Sequence, residues 1–189
     1  MRPFYTTRFK MSQYLVLTAM GADRTGSVSE LTKLASECGC NIIDSRMARF
    51  GLEFTMIMLL QGSIKAINQL ELKLPKIAHQ LELITMMKRT SDYKRREFTQ
   101  HFQVEYAGIE QPGLLKAITA FFASRSIDIS SLKSEFNHQH NQTSATILIA
   151  LTEDTSIEKL EADYIELCEQ IDIQGCIKPV TTNQISDLD

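Results

Sequence analysis

The chain has 189 residues, 43% of them hydrophobic, and a formal net charge of −3. That length suits one domain or two small ones with packed cores. The slight negative charge gives no overall field to attract nucleic acid, and no apolar run approaches the ~20 residues that a membrane-spanning helix needs.

Residues 1–11 are basic, free of acids and lack the apolar stretch of a secretory signal. They read as an N-terminal arm, with Met11 as a second possible start. A mitochondrial-type presequence is the competing reading, and it is short for one. Residues 13–19 are rich in β-formers and predict a strand. Gly21-Ala-Asp-Arg-Thr-Gly26 then breaks the chain. Val28, Leu31, Leu34, Ala35 and Cys38 follow at three- and four-residue steps, the spacing of one helix face, and Gly39 ends that helix. Residues 41–50 predict a second strand. After Gly51, the alternation of Phe54, Met56, Met58 and Leu60 predicts a third. Gly62-Ser63 opens a second helix with Ile64, Ile67, Leu70, Leu74 and Ile77 inward, which Pro75 is expected to kink or shorten. A fourth strand fits near 81–88. The order βαββαβ is the split βαβ, or ferredoxin-like, arrangement.

The polar run that follows carries Lys88, Arg89, Lys94, Arg95 and Arg96 against Asp92 and Glu97. It reads as a linker over 89–99. A solvated connector and a contact for phosphates or an acidic partner are both consistent with it. The pattern then starts again. A strand at 101–107 leads into Glu110-Gln-Pro-Gly113, with Pro112 suited to a first helical turn. Leu115, Ile118, Phe121 and Phe122 form the helix face. Strands near 127–136 and 144–152 flank a polar hairpin longer than the one at Gly51. Ile157, Leu160, Tyr164, Leu167 and Cys168 mark another helix, and a last strand runs near 171–178. Gly21 matches Gly108 and Gly26 matches Gly113, each pair 87 positions apart. A repeat of this length implies two copies of a small domain. The expected division is an arm at 1–11, a first domain at 12–88, the linker at 89–99, a second domain at 100–180 and a tail at 181–189.

Cys38-Gly-Cys40 has no second pair at zinc spacing, and His79, His101, His138 and His140 lie away from it. With Cys168 and Cys176 these cysteines read as buried, reduced thiols. His138 and His140 fall in a polar turn, where a solvated hairpin tip accounts for them better than a metal pair. Nothing here calls for a cofactor or a metal.

The strongest candidate site is the turn after the first strand. Helix N-terminal amides are unpaired and the dipole favours negative charge there. Gly26 permits close approach to the backbone. Asp23 can accept from an ammonium group, and Asn41, which begins the next strand, offers a donor and an acceptor that the fold can bring near the turn. These groups suit an α-amino acid. The same residues also fit a purely structural role, with Asp23 or Thr25 capping the helix and Gly26 allowing tight packing.

Two βαββαβ units with Asp-Arg-Thr-Gly and Glu-Gln-Pro-Gly turns, each followed by Asn-Ile or Asp-Ile, resemble tandem ACT domains over about residues 12–180. The resemblance implies an α+β fold, each unit an antiparallel four-stranded sheet with two helices on one face. It implies binding of amino acids or other small metabolites at domain–domain interfaces. A freestanding pair without a catalytic domain resembles the cytoplasmic, amino-acid-responsive transcriptional repressors of this family. That implies glycine as the favoured ligand, a LysR-type activator protein as partner, no direct DNA contact, and a possible homodimer. Carried over, the ligand groups are Ala22, Asp23, Arg24, Thr25 and Gly26 with Asn41 and Ile42. In the second copy they are Ile109, Glu110, Gln111, Pro112 and Gly113 with Asp128 and Ile129. Pro112 removes an amide donor and Asp128 repels a carboxylate, so the second copy is expected to bind more weakly. The competing reading is an enzyme resembling acylphosphatase, in which Arg24 and Asn41 hold a phosphate and orient water. The turn lacks that family's glycine-rich loop, and the second copy has Gln111 and Asp128 instead. A direct DNA binder is a third reading, against which the net charge stands.

Overall fold

A computed structural model describes residues 12–91, 100–152 and 155–180. The expected arm, the tail and most of the expected linker lie outside these residues. The chain divides between residues 94 and 95 into two units.

The first unit runs β1 (Gln13–Ala22), α1 (Ser27–Glu37), β2 (Asn41–Phe50), β3 (Glu53–Gly62), α2 (Ile64–Gln80), β4 (Ile84–Thr90). Its sheet is antiparallel in the order β2-β3-β1-β4. The second unit repeats it with β5 (Gln100–Ile109), α3 (Leu114–Ser124), β6 (Asp128–Asn137), β7 (Gln142–Leu151), α4 (Ile157–Gln170) and β8 (Ile173–Val180), in the order β6-β7-β5-β8. The expected ferredoxin-like fold is therefore present twice.

Alternation sets the inner face of each sheet. Leu15, Leu17 and Ala19 on β1 meet Phe54, Met56, Met58 and Leu60 on β3, and Leu31, Leu34, Leu70 and Leu74 cover them from the helices. Each leucine fully buried in this way contributes about 1.5–3 kcal/mol. In the second unit Val104, Tyr106, Ile147 and Ile149 meet Ile118, Phe122, Leu160 and Tyr164.

Several elements differ from their expected form. Pro75 neither ends nor shortens α2, which runs on to Gln80. Pro75 sits on the exposed side, while Leu70, Leu74 and Ala78 keep the buried stripe. The missing amide therefore falls on the exposed side of the helix, where its loss is least costly. β4 continues to Thr90, so Lys88 and Arg89 belong to a strand rather than to a connector. Arg89 is committed there, donating to Glu71 at 2.9 and 2.6 Å and to Asn68 at 2.6 Å. α3 begins at Leu114 after Gly113 as its N-cap, so Pro112 precedes the helix instead of entering its first turn. Among the cysteines, Cys38, Cys40 and Cys168 are buried, and burial pushes the Cys40 and Cys168 thiols above the ordinary range. Cys176 is only half-buried and lies 3.6 Å from the Glu105 carboxylate.

The matched glycines Gly21 and Gly108 serve packing. A Cβ on Gly21 would lie 2.8 Å from Leu83 Cδ2 and 2.9 Å from the Glu82 carbonyl, and one on Gly108 would lie 2.6 Å from Ile173 Cγ2. In both copies the end of the first strand presses against the connection into the last one.

Candidate functional site

β1 ends at Ala22, and Asp23, Arg24, Thr25 and Gly26 stand exposed before α1. Gly26 is the N-cap, in the left-handed region at φ 96°, with no side-chain hydrogen bond closing the helix. The capping roles expected for Asp23 or Thr25 are not filled. By contrast, Ser63 accepts from the Ala66 amide at 3.2 Å and Ser156 from the Lys159 amide at 3.3 Å, capping α2 and α4. At α1 the Ser27 amide bonds the Arg24 carbonyl and the Glu30 amide bonds the Gly26 carbonyl. Among the described residues the amides of Val28 and Ser29 have no backbone partner, which leaves them as donors at the positive end of the helix. A Cβ placed on Gly26 would meet nothing within 4 Å, so the space beside it is open.

The turn is held by its surroundings. The Asp23 amide donates to the Leu52 carbonyl at 3.0 Å. The Asp23 carboxylate pairs with Arg49 Nε at 2.8 Å, and Arg24 pairs with Glu82. Arg49, Leu52 and Glu82 escaped the sequence reading. Topology alone would have found them, because the β2–β3 hairpin tip and the α2–β4 connection end on the same side of the sheet as β1.

That topology also overturns one expectation. Asn41 starts β2 opposite Gln61, whereas Ala22 lies opposite Glu53. Eight residues of β3 separate those rungs, about 27 Å at ~3.4 Å per residue. Asn41 and Ile42 therefore sit at the far end of their own sheet, near Gln61 and its partner Tyr14. β1 and β2 run parallel with a helix between them, so the start of one strand cannot meet the end of the other. The acylphosphatase-like pairing of Arg24 with Asn41 fails on the same ground, and Arg24 is already engaged by Glu82.

In the second copy, Gly113 is again a left-handed N-cap at φ 98° without a side-chain bond. Ile109 ends β5, and Glu110, Gln111 and Pro112 are exposed. The Glu110 amide bonds the Asn141 carbonyl at 3.0 Å, and Gln111 Nε2 donates to the Ile171 carbonyl at 3.0 Å. Asp128 and Ile129 start β6 opposite Ala150 and Ile149, far from the turn, which pairs Ile109 with Gln142. His138 and His140 lie in the hairpin turn, where the Asn137 side chain accepts from the His140 amide at 3.3 Å.

Comparison with known proteins bears on this geometry. The ACT-domain family model matches residues 13–88. The glycine cleavage system transcriptional repressors of Escherichia coli (strain K12) and Shigella flexneri are each 37% identical over 180 residues, 93% of this chain and 95% of theirs. A solved structure provisionally assigned as a glycine cleavage system transcriptional repressor has a TM-score of 0.73 at 37% identity, covering 91% of this chain and 99% of that one. A Galdieria sulphuraria protein of unknown function shares the fold, with a TM-score of 0.72 at 20% identity over 90% of this chain and 99% of that one.

Proposed function

The chain belongs to the family of the glycine cleavage system transcriptional repressor, and from that premise we propose that it senses a small amino acid, glycine above all, and represses by binding a LysR-type activator protein rather than DNA. Membership makes it a regulatory protein and not an enzyme. Its proposed compartment is the cytoplasm, and no helix among the described residues is long and apolar enough to cross a membrane. The proposed division is an ACT unit that starts at 12 and runs past the expected 88 to Thr90 at the end of β4, another at 100–180, the residues between as the linker, an arm at 1–11 and a tail at 181–189.

The observation that carries the reading is the uncapped head of α1 beneath an exposed turn. A zwitterion matches it. The carboxylate takes the Val28 and Ser29 amides, where helix dipole and open donors favour an anion. The ammonium takes the Asp23 carboxylate, displacing Arg49. That exposed ion pair is worth ~0–1 kcal/mol, so the exchange is nearly free. Asn41 and Ile42 join such a site only from another copy of the chain, which accords with a homodimer. The second turn, at Ile109–Gly113 with Asp128 and Ile129, is the weaker site.

A thermal-shift screen of the twenty amino acids tests the ligand, because a compound that prefers the folded state must raise apparent stability, by ~2.7 kcal/mol at one hundred times its Kd. Titration of the purified activator with and without glycine tests the partner. If no amino acid shifts the melt and partner binding ignores all of them, the chain is a constitutive interaction module. Salt-sensitive binding of the chain alone to promoter DNA would instead favour a direct DNA contact.

A further inference from the structure

Among the described residues, Ser27 Oγ is the buried side-chain polar atom left without a hydrogen-bond partner. Ser27 is 2% exposed. It is the first residue of α1 and heads the stripe Ser27, Leu31, Leu34 and Ala35 that the helix turns inward. The sequence pattern starts that stripe at Val28, which instead packs only partly against the core. An unpaired buried hydroxyl is costly, and native proteins keep few of them.

The fold does not require a serine there. The matching residue of the second copy, 87 positions on, is Leu114, buried in the second core after an N-cap of nearly the same backbone geometry. Nor is Ser27 a helix cap. The capping serines of α2 and α4 stand one position earlier relative to their helices and make their bonds. The first copy thus keeps a small polar group where this architecture accepts leucine, directly behind the exposed turn and beside the open amides of Val28 and Ser29.

We infer that Ser27 is a specificity-determining residue of the first-copy site, its hydroxyl donating to the carboxylate of an α-amino acid seated beneath the Asp23–Gly26 turn. The inference rests on the amino-acid-sensing reading and sharpens it. The hydroxyl is reached when the turn lifts, and what holds the turn is the Asp23 amide on the Leu52 carbonyl, the Ser27 amide on the Arg24 carbonyl and two ion pairs between exposed or half-exposed groups. A ligand held against the buried stripe of Leu31, Leu34 and Ala35 would favour a small side chain, that of glycine or alanine, over longer ones. In the second copy the Leu114 side chain fills the equivalent position, and that turn has no buried donor to offer.

The test is calorimetry with glycine, and thermal unfolding without it, on the full chain as wild type, Ser27→Ala and Ser27→Leu. Ser27→Ala is expected to melt at or above the wild-type temperature, because it removes an unpaired hydroxyl. It should bind glycine about 10–100-fold more weakly, the range for a hydrogen bond to a charged group. Ser27→Leu, which copies the second unit, should bind none. Wild-type affinity in Ser27→Ala overturns the inference while leaving amino-acid sensing intact. A Ser27→Ala chain that melts below wild type without glycine shows the hydroxyl to be already paired, and overturns it too. A wild type that binds no amino acid sinks both readings.

Discussion

Gly26→Ala and Gly113→Ala form a matched pair that separates what the fold needs from what a ligand needs. Gly26 has φ 96° and ψ −14°, and Gly113 has φ 98° and ψ 0°. A Cβ at either position meets nothing within 4 Å. The cost of alanine is therefore backbone strain without a clash, about 1–2 kcal/mol for a left-handed residue, and it should be equal in the two variants. Urea unfolding should show similar losses, and for a domain of this size each 1 kcal/mol lowers Tm by about 4–8 °C. Glycine binding should divide them. The new methyl in Gly26→Ala occupies the space through which a ligand reaches the Val28 and Ser29 amides, so calorimetry should lose the glycine signal. Gly113→Ala should keep it. If both variants bind like wild type, the first turn is not the site. If both lose binding alike, the response follows global stability and the local argument fails.

Three further outcomes are expected. Gly108→Ala places a Cβ 2.6 Å from Ile173 Cγ2 and 3.3 Å from its Cα, so urea unfolding should show a loss of about 1–3 kcal/mol from overpacking; a neutral result would mean that the β8 entry yields freely. Asn41→Ala should leave unliganded stability within ~0.5 kcal/mol, as for an exposed surface position, yet weaken glycine binding if a second copy of the chain completes the site; unchanged binding confines the site to one turn. Lys178, at 2.7 Å, and Gln103 hold the Glu105 carboxyl below the usual glutamate range. A lowered folded pKa contributes stability that is present above the unfolded value of about 4.3 and lost as pH falls through the folded one. Glu105→Gln should therefore unfold more easily than wild type at neutral pH and converge with it in acid, and a constant gap from pH 7 to pH 2 would contradict this.

The doubled βαββαβ order was legible because each strand alternates and each helix carries its apolar stripe, and the in-register glycines fixed the repeat. Helix ends were less legible. Pro75 looked set to kink or shorten α2, but it lies on the exposed side, where solvent can take the place of the lost hydrogen bond. The site was only half legible. Asp23 to Gly26 could be read from chain order, since a strand–glycine–helix junction exposes amides wherever it occurs. Asn41 was misplaced because proximity after a helix depends on strand direction: β1 and β2 run parallel, so Asn41 lies beside Gln61 at the other end of the sheet. Arg49 and Glu82 were invisible for the converse reason, being distant in sequence and near in topology. Ser27 passed unnoticed because one polar residue beside a run of apolar ones resembles ordinary helix surface.

Duplication supplies the argument for where specificity lies. Features that the fold needs recur in both copies: the close approach at Gly21 and Gly108, and the left-handed caps at Gly26 and Gly113. In each copy the turn is also tied to the hairpin by a backbone bond, from Asp23 to Leu52 and from Glu110 to Asn141. The tie to the last connection differs in kind. Arg24 uses an exposed ion pair with Glu82, which salt screens. Gln111 uses a neutral hydrogen bond to the Ile171 carbonyl. Asp23 has a cation within reach that an ammonium can replace, while behind the turn a hydroxyl in one copy stands against a leucine in the other. These differences give the first turn exchangeable charges and an unsatisfied donor. Salt should therefore loosen the first turn and leave the second alone, so hydrogen exchange at the Asp23 amide, bonded to the Leu52 carbonyl, should quicken from low to high ionic strength while that at the Glu110 amide, bonded to the Asn141 carbonyl, holds steady. Equal responses at the two helix heads would mean that the copies differ in sequence without differing in mechanics.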